Sequence, residues 1–251
     1  MIHKWTVQIP ALAGEKTRRG YVYLPEGYDE NTDTRYPVLY MFDGHNVFFD
    51  EDATYGKSWG MKAYLDDAKP ALIVVAIECN HEGFCRLNEY TPFPFSFQGK
   101  RFRPQGDIYM DWLVNTLKPA IDRNLRTLPD AEHTIIGGSS MGGLMSLYAV
   151  TAYNHVFQKA ACLSPSLWTN PKRVAAMVKN ADYAPGTNIY MDYGSEELAN
   201  HEGVLPILDK TAHTLLQKGA QLSFRIVPGG THCEASWEKQ IPIFMRCLEL
   251  V

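Results

Sequence analysis

Gly138-Ser139-Ser140-Met141-Gly142 follows directly on the apolar run Thr134-Ile135-Ile136 and opens into Gly143-Leu144-Met145-Ser146-Leu147-Tyr148-Ala149, a stretch of helical character. Strand, sharp turn and helix in that order are the parts of a nucleophile elbow, in which a serine is pushed up on a strained turn between sheet and helix. Backbone crowds the positions two before and two after such a serine. Glycine relieves that crowding at both, here as Gly138 and Gly142. Centring the motif on Ser139 would put Met141 where the second glycine belongs, so Ser140 is the candidate nucleophile.

A glycine- and serine-rich turn before a helix can also be a plain tight connection, and what separates the two readings is an acid and a histidine downstream, in the order Ser, acid, His. His232 lies in Pro228-Gly229-Gly230-Thr231-His232-Cys233-Glu234-Ala235-Ser236-Trp237, a glycine turn after the apolar run Leu222 to Val227 and before a helical stretch. Its expected role is general base toward the serine hydroxyl, then general acid toward the leaving alcohol. A helix-capping histidine is the competing reading, but none of the other seven histidines combines strand, glycine turn and helix start.

Three carboxylates compete for the acid in Met191-Asp192-Tyr193-Gly194-Ser195-Glu196-Glu197. Asp192 falls inside a strand or at its last position, which suits a structural hydrogen-bond acceptor. Glu197, three residues past Gly194, has cleared the strand and can turn back to a histidine on the next loop, so it is favoured. Glu196 and Asp192 stay open as alternatives. Both glutamates also suit a solvated helix start, where the positive dipole end favours acids.

Outward from the elbow, short apolar or β-branched runs alternate with longer amphipathic ones. The expected strands are Val38 to Phe42, Leu72 to Ile77, Thr134 to Ile136, Ala160 to Leu163, Ile189 to Asp192 and Leu222 to Val227. Helical spacing is kept by Trp112 to Leu125 and by Leu205 to Leu216, and Ala235 to Leu250 reads as one further helix. Trp5 to Ile9 and Gly20 to Pro25 read as antiparallel strands at the N-terminal edge. Asn80 to Pro104 reads as one long irregular stretch, and segments of that kind are usually functional or mobile. The expectation is an α/β fold, a mainly parallel central sheet with helices on both faces, over a single domain of residues 1–251.

An acyl-transfer site also needs donors for a tetrahedral oxyanion. The backbone N–H of Met141, next after the nucleophile, supplies one. The second is expected from Phe42-Asp43-Gly44-His45-Asn46, where Gly44 lets the backbone turn so that the N–H of His45 faces the pocket. No spacing of histidines, cysteines or acids supports a metal site.

Bulk properties exclude other classes. With apolar residues at 45% and a net charge of −4, the chain is globular and has no general attraction for nucleic acid or an anionic membrane. No apolar run approaches a membrane span, and Met1 to Pro10 lacks the apolar core of a secretory signal, so a soluble cytoplasmic protein is expected. Five scattered cysteines, with no C-x-x-C pair, read as reduced structural thiols.

Together the motifs resemble the esterase-D-like branch of the α/β-hydrolases, which includes S-formylglutathione hydrolases, feruloyl and acetylxylan esterases, catecholate-siderophore esterases and mycolyltransferases. The resemblance runs from Gly20-Tyr21-Val22-Tyr23-Leu24-Pro25 through Tyr40 to Phe48, the Ser140 elbow, Leu163-Ser164-Pro165-Ser166-Leu167-Trp168 and Asp192 to Glu197, and ends at His232. It implies an α/β-hydrolase fold, Ser140, His232 and Glu197 as the triad, oxyanion amides at Met141 and His45, and no cofactor, since deacylation needs only water.

The substrate is expected to be a small-molecule acyl or aryl ester, with an acetylated or feruloylated carbohydrate preferred. A catecholate-siderophore lactone, or acyl transfer by the same triad, is the alternative. Trp168, Arg86 and Phe95 are the expected substrate contacts. Phe93, Phe95 and Phe97 alternate as an aromatic face would, although they equally suit a loop closing onto the body.

Overall fold

A computed structural model describes residues 1–200 and 203–251. Its strands are β1 Ile2–Gln8, β2 Thr17–Tyr23, β3 Val38–Met41, β4 Ile73–Ile77, β5 Phe95–Phe97, β6 Lys100–Phe102, β7 Thr134–Ser139, β8 Lys159–Leu163, β9 Asn188–Gly194 and β10 Gln221–Val227. Eight of them form one sheet in the order β1-β2-β4-β3-β7-β8-β9-β10. The pairs β1 with β2 and β2 with β4 are antiparallel, and every other neighbouring pair is parallel. The mainly parallel sheet and the antiparallel N-terminal edge agree with the sequence.

Every residue of β3, β4, β7 and β8 is buried, which is why these strands read as unbroken apolar runs: helices cover both faces of the sheet. Alternate residues still divide between two cores. Along β3, Val38 and Tyr40 pack on one side and Leu39 and Met41 on the other, the two-residue period of a strand. The helix Met141–Ala152, directly after the elbow, is buried on nearly all sides and is accordingly apolar all round.

Two expectations need correction. Ala235 to Leu250 is not one helix; it divides into Glu234–Glu238 and Ile241–Cys247. Pro242 lies in the first turn of the second helix, where its missing N–H breaks no intrahelical bond. Nor is Asn80 to Pro104 irregular throughout. It holds the helix Cys85–Glu89 and the hairpin β5–β6, turned by Gln98 and Gly99, both at positive φ (49° and 75°), as a two-residue primed turn requires. The helical stretch around Trp112 is continuous over three segments, Gly106–Trp112, Leu113–Leu117 and Lys118–Asn124, with a wider π turn ahead of Pro119.

Parallel register sets the ends of the strands side by side. Ser139 pairs with Leu163, Leu163 with Asp192, and Gly194 with Val227. The loops carrying Ser140, Ser164, Glu197 and His232 therefore leave one carboxyl edge of the sheet, where open α/β folds build their sites.

Candidate active site

Ser140 sits at φ 59° and ψ −120°, a backbone region that costs a non-glycine residue about 1–3 kcal/mol. Three backbone hydrogen bonds hold it there. Its N–H donates to Leu163 O, and its carbonyl accepts from Leu144 N and Ser166 N, each at 3.0 Å. The two glycines of the motif face each other: a Cβ on Gly138 would lie 3.0 Å from the carbonyl carbon of Gly142. Oγ of Ser140 lies 3.5 Å from Oγ of Ser166 and is not hydrogen-bonded to His232.

Glu197 is 3% exposed and each of its oxygens is occupied. Oε2 lies 2.6 Å from Nδ1 of His232. Oε1 accepts from the Ser164 hydroxyl at 2.7 Å and from Gly194 N at 3.1 Å. The Ser164 hydroxyl in turn accepts from the indole N–H of Trp237 at 2.9 Å. These contacts fix the carboxylate and therefore the imidazole plane.

The acid loop and the histidine loop are tied backbone to backbone. Glu196 N donates to Gly230 O at 3.0 Å, and Gly229 N donates to the Ser195 hydroxyl at 2.9 Å. A Cβ on Gly194 would lie 2.3 Å from Gly230 O, so glycine at 194 is a condition of this approach.

Of the competing acids, Asp192 lies inside β9, with Oδ1 accepting from Ser164 N at 3.1 Å and Oδ2 from the Tyr190 hydroxyl at 2.8 Å. Burial pushes its pKa up to about 7. The side chain of Glu196 is exposed. Of the three carboxylates, Glu197 is the one that meets His232.

Met141 opens its helix and the first amide of a helix has no intrahelical acceptor, so its N–H is available. His45 lies in the short helical turn Gly44–Asn46, whose first amides are likewise unpaired within the turn. Gly44 is needed for a reason other than turning. The residue at positive φ (55°) is Asp43, and a Cβ on Gly44 would lie 2.7 Å from the carbonyl carbon of Ala76.

Burial opposes the Asp43 charge, yet Arg86 outweighs it and holds the carboxyl below its usual range, through paired bonds from Nε to Oδ1 and Nη2 to Oδ2, each 2.7 Å. Burial also lowers the His45 pKa to about 4, so this imidazole is neutral.

A cavity of about 670 Å³ joins these groups; Ser140, His232, His45, Asp43 and Arg86 are among its lining residues. Phe95 and Trp168 are not. Phe95 is 6% exposed, stacked on Phe102 at 4.8 Å and edge-on to Trp168 at 6.2 Å, while Phe97 packs on Trp168 at 5.3 Å. The alternating phenylalanines thus close the hairpin onto the body. Sequence reasoning missed Ser164 and Trp237 as the groups that orient Glu197; their one signal was proximity in sequence to the ends of β8 and to His232.

The family model described as Putative esterase matches residues 12–245. The chain belongs to the putative esterase family. It is a carboxylic ester hydrolase of α/β-hydrolase fold. The esterase is 28% identical over 243 residues to the uncharacterized protein YbbA of Bacillus subtilis (strain 168), covering 92% of this chain and 91% of that one. Among solved structures it is similar to an IroE-like serine hydrolase from Shewanella oneidensis, with a TM-score of 0.78 at 20% identity, covering 99% of this chain and 80% of that one. It is similar also to a ferulic acid esterase, with a TM-score of 0.70 at 17% identity, covering 100% and 98%. No helix among the described residues is long and apolar enough to cross a membrane.

Proposed function

We propose that the esterase works through an acyl-enzyme on Ser140, with His232 as base and then acid and Glu197 orienting it. The observation that carries this reading is the buried Glu197 carboxylate against His232 Nδ1, on the cavity that also holds the strained Ser140. A carboxylate on Nδ1 holds the ring proton there and leaves Nε2 to accept from Ser140 Oγ. Oγ must turn from Ser166 to His232 for that transfer, a tightening that catalytic hydrogen bonds show when substrate binds.

Oγ then attacks the ester carbonyl carbon, and the developing oxyanion meets the N–H groups of Met141 and His45. His232 passes its proton to the departing alcohol, next takes one from water, and the hydroxide formed releases the acid and regenerates Ser140.

For the substrate we favour a small ester with a polar partner, an acetylated or feruloylated carbohydrate, because Asn46, Thr54 and Asn80 line the cavity with polar groups. A catecholate trilactone is the second reading; the half-exposed Lys57 on the same lining favours a substrate that bears negative charge. The test is a matched panel of p-nitrophenyl acetate and butyrate, methyl ferulate, acetylated xylo-oligosaccharides and a catecholate trilactone, each with and without an acceptor sugar. A hundredfold preference, about 2.7 kcal/mol of transition-state binding, names the class. Ester products formed only with acceptor would point to acyl transfer, and no Ser140-dependent turnover would count against the reading.

A further inference from the structure

Beside the Asp43–Arg86 pair, three side chains of ligand type converge from two loops: His45 after β3, and Cys79 and His81 just past β4. A nitrogen of each imidazole and Sγ of Cys79 lie within 4.8 Å of one another, and all three residues line the cavity. The two rings meet edge to face with centroids 4.2 Å apart.

An independent observation marks the cluster as incomplete. His45 is 2% exposed, and its Nδ1 is buried with no hydrogen-bond partner. Such an orphaned polar atom has lost its hydration without compensation, a cost that a ligand at that atom would offset. The other nitrogens are already engaged: Nε2 of His45 lies 3.0 Å from the Thr54 hydroxyl, and Nε2 of His81 lies 2.9 Å from Oε1 of Glu78. Glu78 is itself fixed by Arg19, through N–H to Oε2 at 2.8 Å and Nη2 to Oε1 at 2.9 Å. An imidazole held through one nitrogen by a carboxylate or hydroxyl, with the other turned to an ion, is the outer support that metal-binding histidines use.

We propose that His45, Cys79 and His81 form a site for one divalent ion of the zinc class, with its fourth position open to the cavity that holds Ser140. Two imidazoles and a thiolate suit a borderline-soft ion in tetrahedral geometry, and an open position taken by water completes the set. Metal–ligand distances of about 2.0–2.3 Å require the three atoms to draw together by roughly an ångström. His81, with a side chain 45% exposed, has room to make that movement. As the Sγ–metal bond forms, the Cys79 thiol proton leaves to solvent. Arg86 does not oppose the ion with a bare charge, because Asp43 already pairs it.

The test is titration of the purified, chelator-treated protein with Co²⁺ alone, read by absorption, followed by displacement with Zn²⁺. One equivalent should produce a thiolate-to-cobalt charge-transfer band with tetrahedral d–d bands, both abolished by Zn²⁺. Cys79→Ser should remove the charge-transfer band, and His81→Ala should weaken Co²⁺ binding at least a hundredfold; Cys85→Ser and Cys247→Ser should change neither. No stoichiometric uptake by the wild type, or a charge-transfer band that survives Cys79→Ser, overturns the proposal. Should the buried Cys79 variant fail to fold by circular dichroism, the exposed His81 position decides: wild-type affinity in His81→Ala is equally fatal. None of these readouts depends on ester hydrolysis.

Discussion

Oε2 of Glu197 lies 2.6 Å from Nδ1 of His232, and Oε1 of the same buried carboxylate is held by Ser164 and the Gly194 amide. One oxygen faces the base while the other is anchored, so the carboxylate cannot swing away without breaking two bonds. Glu197→Gln should therefore lower kcat by about a hundredfold or more, since an amide cannot hold the imidazole in the same proton arrangement. Glu196→Gln should stay within about twofold of wild type. Steady-state kinetics on one ester checks the ranking, and the reverse order would reassign the acid.

Gly194→Ala probes the joint between the two loops. A methyl group 2.3 Å from Gly230 O and 2.8 Å from Oε1 of Glu197 must push the histidine loop off the acid. Activity should fall by about a hundredfold or more, together with a lower Tm by calorimetry. A variant with normal kcat would show that the contact is not needed for catalysis.

Asp192 links stability to pH. Its folded pKa, raised by burial to about 7, exceeds the unfolded carboxylate value near 3.9, so the folded state binds the extra proton between the two. That contribution is fully present below pH 4 and is lost as pH rises through 7. Asp192→Asn should remove this loss, so its stability relative to wild type should climb by on the order of a few kcal/mol from pH 4 to pH 8. Urea unfolding at a series of pH values measures the difference; a constant offset would contradict the assignment.

Arg86→Met leaves the Asp43 carboxylate buried without its partner. Breaking such a pair costs about 3 kcal/mol. The folded pKa of Asp43 is depressed in the wild type, so the pair's stabilisation is present above the carboxylate range and lost as pH falls through it. The deficit of the variant should therefore be large at pH 8 and shrink toward pH 3. A pH-independent deficit would mean that lost packing, not lost pairing, is responsible.

The sheet was legible because its central strands are buried on both faces and so read as plain apolar runs, and the elbow because its glycines answer a steric demand visible in five residues. What stayed hidden depended on contacts between distant segments. Phe95 and Phe102 form a stacked hairpin pair, but Pro92, Pro94 and Pro104 around them read as a loop. Glu196 and Glu197 are neighbours at a helix start, and spacing alone leaves open which of the two turns inward. Ser164 and Trp237 carry no motif that names them as partners of an acid. The convergence of His45 with Cys79 and His81 was not legible because the fold, not the spacing, brings them together.

The most direct test of the account is trapping of the covalent intermediate: brief reaction with p-nitrophenyl acetate or a fluorophosphonate, acid quench, and intact-mass and peptide analysis of wild type and Ser140→Ala. One acyl or phosphonyl adduct is expected, on the peptide carrying Ser140, with none in the variant and hydrolysis reduced at least ten-thousandfold in a normally folded protein. An adduct on another residue, or undiminished turnover by Ser140→Ala, would contradict it.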